Sequence, residues 1–204
     1  MDNDLREKFL LCGFPNILLD IEFDVRKYQP AVDYLKNFKQ MMTPPFNNPE
    51  VKTGLYLHGK SDSGKSTIAV AIAKKLVEMK ICVNGTLAVR HIFYVNYSTL
   101  IEEFYQIQRG EKKFENSKLD KSMKYHFLVL DDVGVETKLT DFLVSKFYLL
   151  INSRYEQRLP TLITSNFTLF NLMKRFENGL MSDRIYSRIE KISKEVHIKN
   201  SDWE

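Results

Sequence analysis

Short apolar runs of strand length alternate along this chain with longer stretches whose apolar residues recur at helical spacing. "GLYLHG", from Gly54, is the first such run, and "KSTIAVAIAKKLVEM" after it puts Ile68, Ile72 and Leu76 on one helix face. "VRHIFYVN" (89–96) is rich in aromatic and β-branched residues and reads as a strand. "YSTLIEEFYQIQ" (97–108) reads as a helix, with Ser98 or Thr99 as N-cap and Glu102 spaced for a capping box. "RGEKKFENSKLDKSMKY" is polar and charged, and is expected to be a loop or a frayed extension. "HFLVLDDVG" is a buried strand that ends in acids, and "DFLVSKFYLLINSRYEQ" (141–157) is a helix. "LPTLITSN" is a fourth strand, "MSDRIYSRIEKIS" (181–193) a charged helix, and "EVHIK" a last strand.

Upstream, "QPAVDYLKNFKQMM" (29–42) has Pro30 in a first-turn position and Val32, Leu35, Phe38 and Met42 at helical spacing. "TPPFNNPE" (43–50) is a connector, and residues 1–29 carry no clear period. Strands separated by helices pair in parallel, and continuous apolar strands are covered on both faces. The expected fold class is α/β: a three-layer arrangement around a mostly parallel five-stranded sheet. We divide the chain into an N-terminal extension with linker helix (1–50) and a core (51–204).

The 204 residues suffice for one domain with a sizeable core. Hydrophobic residues at 44% and charged residues at 27% describe an ordinary soluble globular chain. No apolar run approaches the roughly 18 residues needed to span a membrane, and "MDNDLREKFLLCGF" is not a secretory signal. Cys12 and Cys82 lack metal-ligand spacing and read as free thiols of a reducing compartment. The net charge of +4 is compatible with a polyanionic partner, without by itself requiring one.

Chemistry concentrates after the first strand. Gly59-Lys60-Ser61-Asp62-Ser63-Gly64-Lys65-Ser66 fits G-x-x-x-x-G-K-[ST], between a predicted strand and a predicted helix. Glycines let backbone N–H groups turn inward around an anion. Lys65 supplies a point charge for the β- and γ-phosphates, Ser66 offers a hydroxyl to Mg2+, and the helix that continues through Thr67 aims its positive end at the phosphates. Asp131 and Asp132 stand at the C-terminal edge of a buried strand, where open α/β sheets bind ligands. Asp131 is expected to hold Mg2+ through water, and Asp132 to orient the attacking water as general base. Asp132 is one methylene shorter than the Glu many ATPases carry there, which is expected to slow hydrolysis.

Two further groups admit two readings each. Thr164, Ser165 and Asn166 end a strand beside the acids; a side chain here either reaches the γ-phosphate or caps the segment "TLFNLMKRF". Arg184 and Arg188 share a helix face, either as a fork for transition-state charge or as surface arginines paired with Asp183 and Glu190 or Glu195.

The order of these motifs, the phosphate loop followed by "LVLDDVGVET", "TLITSN" and "DRIYSRIEK", resembles the AAA+ (ASCE-type) P-loop ATPase domain of bacterial replicative helicase loaders of the DnaC/DnaI type. The transposition helper IstB shares this core. The resemblance covers roughly residues 30–200 and implies ATP and Mg2+ as cofactors and hydrolysis to ADP and phosphate. It also implies Asn166 as the polar sensor and Arg188 as an arginine finger acting across a subunit interface, with Arg184 in support. Single-stranded DNA and a DnaB-type hexameric helicase are the implied partners, and self-assembly into an oligomer the implied state. Loader contacts to DNA fall in segments equivalent to "RGEKKFENSK" and "GVETK", here Arg109, Lys112, Lys113, Phe114 and Lys138, with Lys118 nearby. That mixture suits phosphate neutralisation with base stacking, or equally a solvated loop with one anchoring Phe. The chain departs from the family in having no Cys/His cluster before the core, so that residues 1–29 are a reduced docking element, a phage or plasmid variant, or the remnant of a longer region. The short stretch after "EVHIK" leaves no room for more than a minimal C-terminal lid. The competing classes are a transposition helper acting on double-stranded DNA and a small-molecule P-loop kinase.

Overall fold

The computed structural model describes residues 1–41, 51–79, 91–135, 140–176 and 179–199. Helices α1 (Asn3–Leu11) and α2 (Asn16–Asp20), a 3-10 turn (Val25–Lys27) and α3 (Gln29–Met41) precede the first strand, β1 (Gly54–His58). There follow α4 (Lys65–Glu78), β2 (Ile92–Asn96), α5 (Tyr97–Gln108), α6 (Lys118–Lys124), β3 (Phe127–Val133), α7 (Asp141–Glu156), β4 (Thr161–Ser165), α8 (Leu169–Lys174), α9 (Gly179–Ile192) and β5 (Ser193–His197). The strands form a single sheet in the order β2-β3-β4-β1-β5, and every pairing is parallel. The expected sheet is thus present, wholly parallel rather than mostly so.

Side chains along a strand alternate between faces, and here both faces are apolar. Leu55, Leu57, Ile92, Tyr94, Phe127, Val129 and Leu162 turn to one side, where α4 packs with the helices before β1. Tyr56, Phe93, Val95, Leu128, Leu130 and Ile163 turn to the other, against α5 to α9. The result is a three-layer α/β/α arrangement. Helix α4 seats Ile68, Ile72 and Leu76 in the first layer, the face that the helical spacing predicted.

Residues 1–28, patternless as sequence, form an arm on the first layer. Asp2 caps α1 by accepting from the Leu5 amide at 2.7 Å. Phe9, Phe14, Leu19 and Val25 are buried in the same core as β1 and α4. The helices are too short for a period to show, so their apolar residues read as scattered.

Two expectations need correction. The N-cap of α5 is Asn96, whose side chain accepts from the Ser98 amide at 3.0 Å; Thr99 instead donates its hydroxyl to the Asn96 carbonyl. The strand ends one residue before the helix begins, so the last strand residue does the capping and no capping box from Glu102 is needed. The stretch 109–125 contains α6 rather than a plain loop, capped by Ser117 and anchored from below by Arg154. Arg154 is fully buried and donates to Thr161 Oγ1 and to the carbonyls of Ser122, Tyr125 and Pro160. A buried cation satisfied by four oxygens, two from the end of α6 and two from the start of β4, ties α6 to the lower end of β4.

Candidate functional site

The site lies at the C-terminal edge of the sheet, where the β1–α4 loop meets the ends of β3 and β4. The loop takes its shape from two left-handed residues, Asp62 (φ 60°) and Gly64 (φ 81°). Such conformations turn successive amides inward as an anion nest. Its start is wedged between strands: the Gly59 amide donates to the Ser165 carbonyl at 3.3 Å, and a Cβ at Gly59 would lie 2.3 Å from the Ile198 carbonyl oxygen. The first glycine of the pattern is therefore required by backbone approach. Lys65 is buried, and its ammonium donates to the Lys60 carbonyl at 2.7 Å and toward Ser63 Oγ at 3.5 Å.

Asp131 is the hub. Ser66 Oγ donates to its Oδ1 at 2.7 Å, Thr164 Oγ1 to the same oxygen at 2.6 Å, and the Tyr94 hydroxyl to Oδ2 at 2.5 Å. These side chains share the α4 side of the sheet, as the alternation from Phe127 through Val129 to Asp131, and from Leu162 to Thr164, requires. The Ser66 hydroxyl spends its proton on the carboxylate, which leaves its lone pairs for a hard cation. An oxygen-only pair of hydroxyl and carboxylate beside a phosphate loop fits Mg2+, which is bound through few protein oxygens, water and phosphates.

Two consecutive acids in a regular strand would point to opposite faces. Here the pairing of β3 with β4 slips: Leu130 opposes Ile163, Val133 opposes Ser165, and two residues of β3 span one of β4. Asp132 takes up the extra residue at φ 62°, with its amide donating to Thr164 Oγ1 at 2.8 Å. The bulge takes Asp132 out of the regular alternation, and its charge acts on Lys65. The electrostatics follow: burial pulls the Lys65 ammonium pKa down, against Asp132, Asp131 and Asp62. Burial and then the Asp131 charge push the Asp132 carboxyl up, with Lys65 opposing. Asp132 is thus held as a weaker acid, and stronger base, than an ordinary aspartate.

Asn166 follows β4 and is half-buried. It does not cap the next helix, since Thr168 caps α8 by accepting from the Asn171 amide at 3.2 Å. Arg188 stands against α7 in its own chain: Nε donates to Asn152 Oδ1 at 2.5 Å, and the guanidinium lies over the rings of Tyr148 (4.9 Å) and Tyr155 (5.6 Å). Arg184 is exposed, and its carbonyl accepts from Arg188 at 3.2 Å. The acids considered as partners for these arginines do not pair with them among the described residues. In the 109–118 segment, Arg109 is paired with Glu111 and Lys112 with buried Glu103. Lys113 is exposed, and Phe114 is 41% exposed, which argues against an anchoring role in the core. Lys138 lies outside the described residues.

The model of the family described as "IstB-like ATP binding protein" matches residues 18–203. The chain belongs to this family. It is 26% identical over 175 residues to YqaM of Bacillus subtilis (strain 168), covering 83% of this chain and 50% of that protein. It is also 26% identical over 151 residues to the replicative helicase loader DnaI of the same organism, covering 73% of this chain and 42% of the loader. The chain thus spans about half the length of the curated relatives it matches. A crystal structure of DnaI superimposes with a TM-score of 0.63 at 26% identity, covering 89% of this chain and 87% of that one. The α/β sheet, the phosphate loop and the family match make this a helicase-loader-like AAA+ ATP-binding protein.

Within this IstB-like site, Tyr94 and the role of Thr164 escaped the sequence reading. Tyr94 reads as one more apolar strand residue. Thr164 carried a signal, being a hydroxyl at the end of an apolar strand, but nothing in the sequence says that it bridges Asp131 and the Asp132 amide.

Proposed function

We propose that this chain is a Mg2+-dependent ATPase that assembles on single-stranded DNA and acts on a DnaB-type replicative helicase. The observation that carries the reading is the Ser66–Asp131 hydrogen bond of 2.7 Å across α4 and β3, beside a phosphate loop and a buried lysine. Ser66 and Asp131 would hold the cation, which when bound neutralises phosphate charge. Lys65 binds the triphosphate, and Asp132, weakened as an acid, accepts the proton of the attacking water. Asn166, beside β3, would orient that water. Arg188, seated on the outer face of α7 in its own chain, would complete the site of a neighbouring subunit, with Arg184 beside it.

Exposed Phe114 and Lys113 support a DNA surface, to which Arg109, Lys112 and Lys138 would contribute. The arm packs on the core while leaving Leu11 and Ile17 78% and 73% exposed, as a protein-docking element would. The extension (1–50) is on this reading the partner-binding part and 51–204 the ATPase core, working in the cytoplasm of a bacterium or of a phage's host. No helix among the described residues is long and apolar enough to cross a membrane. The match to an IstB-like model supports a second reading, a transposition helper on double-stranded DNA.

Phosphate release measured with single-stranded DNA, double-stranded DNA and no DNA separates these readings. Stimulation by the single strand and recovery of a hexameric helicase from host extract, both lost in Lys65→Ala, are the expected results. Stimulation by duplex alone would select the transposition role, and phosphate transfer to a nucleoside or nucleotide would select a kinase.

A further inference from the structure

Asp131 is 5% exposed, and both its oxygens are engaged by hydroxyls: Oδ1 by Ser66 and Thr164, Oδ2 by Tyr94. Ser66 ends the phosphate loop motif, and Thr164 also accepts from the Asp132 amide. Tyr94 is part of neither. It sits in β2, the strand at one end of the sheet, and its side chain crosses to the neighbouring strand to reach the carboxylate.

What holds Tyr94 is the N-terminal arm. The Tyr94 amide donates to the Cys12 carbonyl at 3.0 Å, so the arm pairs with the outer edge of β2 at this residue. Gly13, at φ +89°, lies so close that a Cβ there would fall 2.3 Å from the Tyr94 carbonyl oxygen. The Phe14 ring packs on the Tyr94 ring with centroids 5.4 Å apart, and Phe9 backs Phe14 at 5.0 Å. Backbone, ring and hydroxyl of one residue thus touch, in turn, the arm and the carboxylate.

We propose that Tyr94 is a positioning residue for Asp131, and that residues 12–14 of the arm set its place, so that the arm and the cation-holding carboxylate move as one unit. This rests on the nucleotide reading above. A partner that pulls on the arm's exposed side thereby acts on the carboxylate, without touching the phosphate loop. Removing the hydroxyl leaves Oδ2 without its donor in a buried place and frees the carboxylate to turn away from Ser66.

The test uses the full chain and a fluorescent, non-hydrolysable ATP analogue, titrated with and without Mg2+. Tyr94→Phe keeps the ring and removes only the hydroxyl. The expected result is unchanged affinity without Mg2+ and affinity about tenfold weaker with it, the effect of losing one hydrogen bond to a charged group. Gly13→Ala is expected to weaken Mg2+-dependent binding in the same direction by a smaller factor, with Phe14→Leu as the milder variant should Gly13→Ala not fold. A hydroxyl that merely stabilised the fold would lower the thermal midpoint and leave the Mg2+ dependence as in the wild type, and that result overturns the proposal. A shift in Tyr94→Phe with none in folded Gly13→Ala or Phe14→Leu overturns the arm's part. If the wild type itself does not bind the analogue, the nucleotide reading fails instead.

Discussion

Two polar stretches of this chain look alike on paper and behave differently in the fold. The phosphate loop, 59–66, and the segment 109–118 both mix Lys with Gly, Ser and an acid, and both interrupt apolar elements. In the first, the polar groups converge: Lys65, Ser66 and the loop amides gather at the sheet edge opposite Asp131 and Asp132. In the second, much of the charge is consumed locally. Arg109 pairs with Glu111, Lys112 with Glu103, and Glu103 also accepts from the Leu119 amide at 3.1 Å to hold the start of α6. A count of basic residues therefore overstates what the segment offers to a polyanion. Clustered charge signals a ligand only where the fold leaves its partners outside the protein.

The hardest test of the first region asks whether it is complete within one chain. If Arg188 acts on a neighbour's nucleotide, Arg188→Ala keeps ATP binding and loses about 10³–10⁵ in turnover, as other arginine fingers do. Its packing on Tyr148, Tyr155 and Asn152 admits a purely local role. Mixing subunits distinguishes the two. Arg188→Ala chains have an intact phosphate loop, Lys65→Ala chains an intact finger, and the mixture is expected to regain activity that neither shows alone. No recovery would confine Arg188 to the packing of α9 on α7.

Next comes Asp132. Asp132→Asn is expected to lower turnover by about 10²–10⁴, the usual worth of a positioned general base. The sign of the pH effect follows from its raised pKa. Below that value the carboxyl is protonated and takes no proton from water, so turnover falls on acidification at a pH above the ordinary aspartate range of about 4. The asparagine variant should lack this acid limb. A wild-type profile in the variant would remove Asp132 from the chemistry.

The ease of reading these regions from sequence differs for a physical reason. The first four strands, the major helices and the position of the phosphate loop between β1 and α4 follow from local periods and fixed spacing; the last strand, read from "EVHIK", instead begins two residues earlier at Ser193, where α9 ends and pairing with Gly54 starts. The bulge at Asp132 does not follow from local periods, because it is a mismatch between β3 and β4 visible only once both are paired. It also gives Asp a rationale that chain length alone missed: Asp tolerates left-handed backbone far better than most residues. Tyr94 was hidden because its hydroxyl contact depends on the register of β2 against β3. The arm and α6 were hidden because their helices span only five to nine residues, too few for a hydrophobic stripe to stand out.

For the second region, Phe114 is the sharper probe. If it stacks on a base, Phe114→Ala should weaken single-stranded DNA binding by about 1–3 kcal/mol at constant salt. Its 41% exposure means that the fold itself should lose little, so the thermal midpoint is expected to stay put. Unchanged affinity would leave the segment as a solvated surface and remove its claim to DNA.

Glu103→Gln gives the smallest and most discriminating effect. Glu103 is buried on α5 and neutralises Lys112, while its other oxygen holds the Leu119 amide. Glutamine retains an acceptor for that amide but releases the lysine from its ion pair. If Lys112 then turns to a DNA phosphate, one more counterion is released on binding, and the slope of log affinity against log salt steepens by about 0.7, the value per phosphate for single strands. Lys113→Ala, by the same count, should flatten it by a similar amount. A slope unmoved by Glu103→Gln in a chain that responds to Lys113→Ala would mean that Lys112 serves the fold of α5 and α6 alone. The charge of the segment would then divide residue by residue between structure and ligand.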